Sequence, residues 1–450
     1  MTPLLDILRA RAARKTTRFH MPGHAGHILP NGWTSLHDID FTELSDTGNL
    51  YTDQHDGPIR AAERLYSDVY HAEDCLFLTG GATQGILTML SAFAAPGDTV
   101  ILDRNCHFSV HNALALLDLH PVWVQSPLIN PFGVPSGLPP NVLSDTLDKH
   151  PEAVCVLVTS PGYSGILSDL AALAAVCRTR GIPLLSDSAH GAHLPFLTGF
   201  SSPIAQGVSA SVLSAHKTLP ALGQSAFLLT GSGMAPLLRQ RAALFGSSSP
   251  SYVLMASLDA ARAYMETDGR DALAQTARIT GEIRQSSPAF LGFHAQPEKS
   301  PIVQIDPLRL CLYTGMGSQI SAHLEASFGI VCEMADRLNI VLIASALHTS
   351  QDLSLLREAL DTVLSIQAPP PVPTLQDAPP FPKMHCSPRE ALFGKAVSLP
   401  WRDALGRVAA HPVFLYPPGT PLLSRGEIVD DNTMHRLAQA GFDAPVSVLL

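Results

Sequence analysis

Charge is scarce in this chain. Asp, Glu, Lys and Arg make up 15% of its 450 residues, and 46% are hydrophobic, whereas soluble domains usually carry roughly 25% charge. That balance excludes a disordered or coiled-coil protein. Basic residues are short as well: 29 Lys and Arg against 39 Asp and Glu leave a net charge of −10. The basic face that nonspecific nucleic-acid binding needs is missing, so no nucleic acid is expected as a partner. No apolar run reaches the roughly 18 residues of a membrane span, and no membrane association is expected. No Cys-x-x-Cys pair occurs. The seven cysteines, at 75, 106, 155, 177, 311, 332 and 386, are odd in number and widely spaced. They read as reduced thiols in a cytoplasmic protein, not as a disulfide framework or a zinc site. No apolar secretory core follows the basic residues near the N-terminus. Leu4, Leu5, Ile7 and Leu8 read there as a short amphipathic helix, with a transit peptide as the alternative. Internal repeats are absent.

What is present is length, and a regular alternation. At 450 residues two or three domains are expected, with ample chain for real cores. From about Leu76 apolar strand-like runs alternate with helical stretches. Strands are predicted at Thr99–Asp103, Pro121–Val124, Ala153–Thr159, Pro183–Asp187, Ser211–Ser214 and Ala226–Leu229. Most are apolar on both parities, as strands covered on two faces are. Helices are predicted at Gly85–Phe93 and Leu170–Arg180. This is an α/β pattern with a mostly parallel sheet. From about Arg270 a second pattern begins. Helical stretches Asp271–Ser286, Gly317–Phe328 and Leu353–Ile366 flank short runs at Ile302–Ile305 and Ile340–Ile343, which suggests a smaller α+β domain. The stretch 368–382, APPPVPTLQDAPPFP, reads as a linker because so much proline fits neither a helix nor a central strand. The expected division is an N-terminal segment 1–57, a large domain 58–290, a small domain 291–367, the linker, and a C-terminal domain 383–450.

Three local signals carry chemistry. Ser214-Ala215-His216-Lys217-Thr218 follows an apolar strand, which places Lys217 at a strand end facing a crevice. A lysine there can form a Schiff base with a cofactor aldehyde. Asp187 ends a buried strand about thirty residues earlier, in Ser186-Asp187-Ser188-Ala189-His190-Gly191. A carboxylate there can pair with a protonated ring nitrogen. Thr79-Gly80-Gly81-Ala82-Thr83 lies between a strand and a helix, where free amides and a positive dipole end suit a phosphate. Each signal alone has a plainer reading: a tight turn, a strand cap, a loop lysine. In order, with His107 between the first two, they supply what pyridoxal 5'-phosphate (PLP) needs, at the carboxyl edge of one parallel sheet.

These motifs resemble those of the Orn/Lys/Arg decarboxylase family, PLP enzymes of the aspartate-aminotransferase fold (fold type I), over nearly the whole chain. Phe19-His20-Met21-Pro22-Gly23-His24 is similar to the family's FHxPGH, and Asp40-Phe41-Thr42-Glu43 to its D-x-T-E. Asn105-Cys106-His107 with Arg104 resembles its RNCH, Asp187 to His193 its DEAHGAH, and Ser214 to Leu219 its SxHKTL. Ser248-Ser249-Pro250-Ser251-Tyr252 and the following residues resemble TSPSYxLMASLD. Pro388-Arg389-Glu390-Ala391 and Tyr416 to Pro421 resemble its C-terminal domain. The chain looks like the short form, without the N-terminal wing domain of the large inducible members.

The resemblance implies roles. Lys217 would hold PLP as a Schiff base, Asp187 would pair with the ring nitrogen, and His107 would stack on the ring with Ala189 on its other face. Ala82, Thr83, Ser214 and His216 would hold the phosphate. Ser248 or Ser249 would reach the phosphate of the other subunit of a homodimer or higher homo-oligomer. His190 would lie near the substrate carboxylate. The implied reaction is α-decarboxylation of arginine, lysine or ornithine, releasing CO2 and an amine of polyamine synthesis, with the proton returned to Cα by Lys217, His190 or water. Glu43, Asp46, Asp53 and Glu427 are the candidates for the cationic tail of this small-molecule substrate. The chain departs from the family pattern at Ser188, where Glu is usual, at Phe108, where Lys is usual, at the Gly80–Thr83 cup and at Gly223-Gln224-Ser225. His111, His120, His323, His348 and His411 show no metal-ligand spacing; His20, His24 and His27 cluster with Gly23 and Gly26 as a metal site would, and the resemblance assigns them instead to packing near the active site, so no metal is expected. Two alternatives stay open: another PLP reaction, with Arg309 or Arg337 clamping a carboxylate as in an aminotransferase, and a non-catalytic PLP-fold regulator.

Overall fold

The computed structural model describes residues 16–20, 23, 25, 40–41, 47–51, 57–231, 233–292, 302, 304–365, 374–377, 380–415 and 420–450. The expected amphipathic helix at the N-terminus, His24, His27, the tail candidates Glu43, Asp46 and Asp53, and Tyr416 to Gly419 lie outside them.

The centre is a seven-stranded sheet. Its strands in chain order are β1 (Asp74–Leu78), β2 (Thr99–Asp103), β3 (His120–Val124), β4 (Ala153–Thr159), β5 (Leu184–Asp187), β6 (Ala210–Leu213) and β7 (Ala226–Thr230). The spatial order is β1-β7-β6-β5-β4-β2-β3. β3, β2, β4, β5 and β6 run parallel to their neighbours, and only β7 pairs antiparallel, with β6 and β1. The double-faced apolar runs have a direct consequence here. Val100, Leu102, Cys155, Leu157 and Leu185 enter one hydrophobic cluster, while Ile101, Val156, Val158 and Leu184 enter another on the opposite face. Alternate residues therefore feed two cores, the period-two signature of a sheet covered on both sides.

Helix α1 (Pro58–Tyr70), α2 (Gly81–Phe93), α3 (Phe108–Leu117) and α4 (Leu170–Arg178) belong to these layers. α2 starts four residues earlier than its apolar pattern predicts, because the glycines themselves form its first turn. A Cβ on Gly85 would stand 2.4 Å from a Val212 methyl, so α2 lies on β6 at a distance only glycine permits. The expected strand at Ile302–Ile305 is short, with Gln304–Ile305 pairing to Ile166–Leu167.

The second core surrounds an antiparallel sheet of Arg309–Tyr313, Asn339–Ile343 and Met334–Ala335. Thr17–Phe19 adds to this unit by pairing parallel with Ile330–Cys332, and Phe19 stacks on His348 at 4.3 Å. The proline-rich stretch is more than a tether. Its proline-free Thr374–Gln376 pairs with Leu128–Asn130 as an exposed edge strand, the position where neighbouring prolines cost least. A third core within 396–450 closes around Trp401, Leu423, Leu437 and Val448.

Candidate active site

Parallel strands deliver their C-terminal ends to one edge. There Thr159 stands beside Asp187, and Asp187 beside Val212. Asp187 is buried, and the backbone amide of Ala189 donates to its Oδ1 at 3.1 Å. Among the described residues its Oδ2 has no hydrogen-bond partner. The chain then leaves β6 through Ser214 into a one-turn helix, Ala215–Thr218, and returns in β7. This reversal presents Lys217 beside His190: Nζ lies 3.2 Å from Nε2. Burial, with the Arg309 charge added, holds the Lys217 ammonium below the ordinary lysine value, against the opposing pull of Asp187 and Glu333. His190 is pushed well below the ordinary histidine value by burial, then by Lys217 and Arg309.

His107 caps α3 by accepting from the Ser109 amide at 3.2 Å, so its Nδ1 carries a lone pair. Burial holds its imidazole below the ordinary histidine value, with Asp187 opposing and Lys217 adding to the lowering. Ala82 and Thr83 are in the first turn of α2, whose N-cap, Gly80, has no side chain to satisfy the free amides. The loop after Lys217 closes this cup. Gln224 adopts positive φ and donates through Nε2 to the Thr79 carbonyl at 2.5 Å. His216 donates from Nδ1 to the Ser225 carbonyl at 2.9 Å. Ser214 is buried at the head of the turn. The backbone of Gly23 lies on this turn, its amide donating to the His216 carbonyl at 2.7 Å. Ser248 and Ser249 are exposed, outside the buried cluster around Lys217.

One expectation changes, and two departures from the family pattern gain a setting. Glu427 is not available to a substrate tail: both its oxygens accept from Arg104, at 2.6 and 2.8 Å, in a buried fork. Phe108 is turned toward the C-terminal unit, edge-on to Phe414 at 5.2 Å with the Arg425 guanidinium over its ring. A lysine in its place would add a second cation beside Arg425. Ser188 is buried, and its hydroxyl joins Ser186, which bonds Ser211. Its departure from the family acid is absorbed by a serine ladder in the sheet. Arg337 is exposed. Arg309 has both terminal nitrogens occupied by protein acceptors, Tyr163 O and His190 Nδ1, which weighs against a free carboxylate clamp.

Two groups escaped the sequence reading. Tyr163 packs edge-on to His190 at 5.2 Å and donates its hydroxyl to Glu333 at 2.7 Å. Glu333 is thus the carboxylate, besides Asp187, whose charge reaches Lys217. No local motif marks either residue; both arrive through pairings across more than a hundred residues.

The residues fit PLP. A buried acid with one open oxygen suits a protonated ring nitrogen. A lysine whose hydrogen-bond partner is an imidazole suits an aldehyde. An uncapped helix N-terminus suits a phosphate. Among the described residues no cluster of His, Cys, Asp and Glu could hold a metal ion, and no helix is long and apolar enough to cross a membrane.

Comparison with known proteins bears on the family and the fold. The family model described as Orn/Lys/Arg decarboxylase, major domain, matches residues 2–304. An arginine decarboxylase of Halalkalibacterium halodurans is 29% identical over 96% of this chain and 92% of its own length. The uncharacterized protein YaaO of Bacillus subtilis is 30% identical over 97% and 94%. Among solved structures, lysine decarboxylase A from Pseudomonas aeruginosa superposes with a TM-score of 0.77 at 16% identity, covering 100% of this chain and 83% of that one. The serine palmitoyltransferase of Sphingomonas wittichii, with a TM-score of 0.61 and 16% identity, covers 81% and 97%. The fold is fold type I.

Proposed function

This chain belongs to the Orn/Lys/Arg decarboxylase family, and from that premise we propose that it is an arginine decarboxylase that releases CO2 and an amine destined for polyamine synthesis. It is a PLP-dependent amino-acid decarboxylase; when bound, PLP supplies an electron sink for the charge left as the carboxylate departs. The open Oδ2 of Asp187 would keep the ring nitrogen protonated. His107 and Ala189 would hold the ring between them, and Ala82, Thr83, Ser214 and His216 would hold the phosphate. Lys217 would supply the amine that links the cofactor. Buried Asp187, Ala189 and His190 keep water away from the scissile bond, which favours loss of a charged carboxylate. Lys217 Nζ and His190 Nε2, 3.2 Å apart, are the two groups positioned to return a proton to Cα. Glu333, which accepts from the Tyr163 hydroxyl at 2.7 Å next to the His190 ring, is assigned to the cationic tail.

Arginine is favoured over lysine by the company of similar chains. Proteins named arginine decarboxylase are 27–29% identical over at least 92% of their own length. Those named lysine decarboxylase are 22–24% identical over 74–76%. The exposed Ser248 and Ser249 support a homodimer in which they meet the partner's phosphate cup. Seven free cysteines, five of them buried, support a cytoplasmic setting. The observation that carries the reading is the open Oδ2 of Asp187, the Lys217 amine beside His190 and the uncapped α2 N-terminus. The test is CO2 release from arginine, lysine and ornithine, each supplied separately to PLP-loaded protein. Release from arginine at the highest kcat/KM supports the reading; a keto acid without CO2 overturns it.

A further inference from the structure

Arg309 opens the first strand of the small antiparallel sheet and is completely buried. Its guanidinium has donors only and stays charged at every working pH. Nη1 donates to the Tyr163 carbonyl at 2.9 Å. Nη2 lies 3.1 Å from His190 Nδ1, so Nδ1 must be the bare, accepting nitrogen. A neutral imidazole with a bare Nδ1 carries its proton on Nε2. That Nε2–H faces Lys217 Nζ at 3.2 Å. Only an unprotonated amine can accept it. The reverse arrangement, an ammonium donating to a bare Nε2, would aim an Nδ1–H at a guanidinium.

The Arg309 charge is not cancelled at contact distance. Its nearest carboxylate oxygen, Asp306 Oδ2, is 3.9 Å away, and the other oxygen of Asp306 is held by His193 at 2.8 Å and by the Leu308 amide at 2.9 Å. Resting on the reading that Lys217 is the cofactor lysine, we propose that Arg309 is a positioning residue: it selects the Nε2–H tautomer of His190 and thereby holds the Lys217 amine neutral and aimed as a nucleophile. The other groups facing the pair are accounted for. Asp187 and Glu333 favour the ammonium form of Lys217, while burial and Arg309 oppose it. His107 and His216 are the other titratable rings acting on His190, each itself held below the ordinary histidine value by burial, and Tyr163 donates its proton to Glu333, not to His190.

The test is made on cofactor-free protein carrying 15N-labelled histidine, with His190 assigned by its absence from His190→Gln. The expected spectrum has a protonated Nε2 and a bare Nδ1 that do not titrate across the ordinary histidine range around 6.5. Arg309→Gln keeps an amide donor and should keep this tautomer. Arg309→Leu should give mixed tautomers, and PLP uptake at neutral pH about tenfold slower, the equivalent of one unit in the lysine pKa. A proton on Nδ1, or an imidazolium titrating near 6.5, in the unsubstituted protein overturns the proposal without any variant having to fold. The two readings separate cleanly. The expected tautomer in a protein that releases no CO2 leaves this proposal standing and fails the substrate reading. CO2 release with the proton on Nδ1 fails this proposal alone.

Discussion

Two arginines, Arg239 and Arg309, are equally buried, at 1% and 0% exposure, and are treated in opposite ways. Arg239 faces carboxylates. Its Nε and Nη2 donate to Asp74 at 2.9 and 3.0 Å, Nη2 also to Glu63 at 3.0 Å and to the Cys75 carbonyl at 2.7 Å, and Nη1 to the Leu50 carbonyl at 3.1 Å. Arg60 closes the network on the same two acids. Arg309 instead meets neutral acceptors, keeps its nearest carboxylate at 3.9 Å, and leaves Nε without a partner. A buried charge that is fully paired fixes structure, whereas one left partly unpaired projects its field onto whatever lies beside it. Beside Arg309 lie His190 and Lys217. The first cluster ties α1 and β1 together; the second tunes a reactive amine.

The sharpest break in this comparison comes from the amine itself. Lys217→Ala removes both the cofactor link and one proton carrier, so CO2 release should fall by roughly 10²–10⁴-fold or more, while the urea midpoint changes little. An assay and an unfolding curve on one preparation check both halves. Next comes Arg239→Leu, which strands Glu63 and Asp74 without their buried cation. A loss of about 3–5 kcal/mol is expected from denaturant unfolding, larger than the loss from Arg309→Leu. Equal losses would erase the distinction between the two arginines.

A third buried charge sharpens the contrast, because among the described residues its carboxylate bonds a backbone amide and no cation. Asp103 accepts from the Asn105 amide, and burial pushes its carboxyl up to about 6. A raised folded value means that stability is fully present below the ordinary aspartate value of about 3.9 and is lost as pH rises through about 6. Asp103→Asn should therefore stabilise the protein more at pH 8 than at pH 4, by up to about 3 kcal/mol. A Tm difference that does not grow with pH would contradict this. The smallest effect belongs to the exposed trio Arg278, Glu282 and Arg357. Arg357→Ala should cost less than about 1 kcal/mol, and 1 M salt should remove most of that in a thermal melt.

The comparison also separates what could be read along the chain from what could not. Asp187 and Lys217 each follow an apolar run, so a strand end and its candidate site residue lie close in sequence. β2 and β4 appear at their predicted bounds for the same reason. Arg309 and His190 are 119 residues apart, and Arg104 and Glu427 are 323 apart. No local periodicity encodes such pairs, and Glu427 therefore looked like a free acid until its partner was located. The edge strand at Thr374–Gln376 was hidden for another reason: three residues without proline inside a proline-rich stretch are too few for a pattern.

The most direct test of the account is to locate the cofactor link. The chain has six lysines, of which Lys217 alone stands in the cluster described. PLP-loaded protein is reduced with borohydride, digested, and mapped by mass spectrometry. The account predicts a stable pyridoxyl adduct on the peptide containing Lys217 and on no other. An adduct on a different lysine, or none on Lys217 in protein that releases CO2, would contradict it.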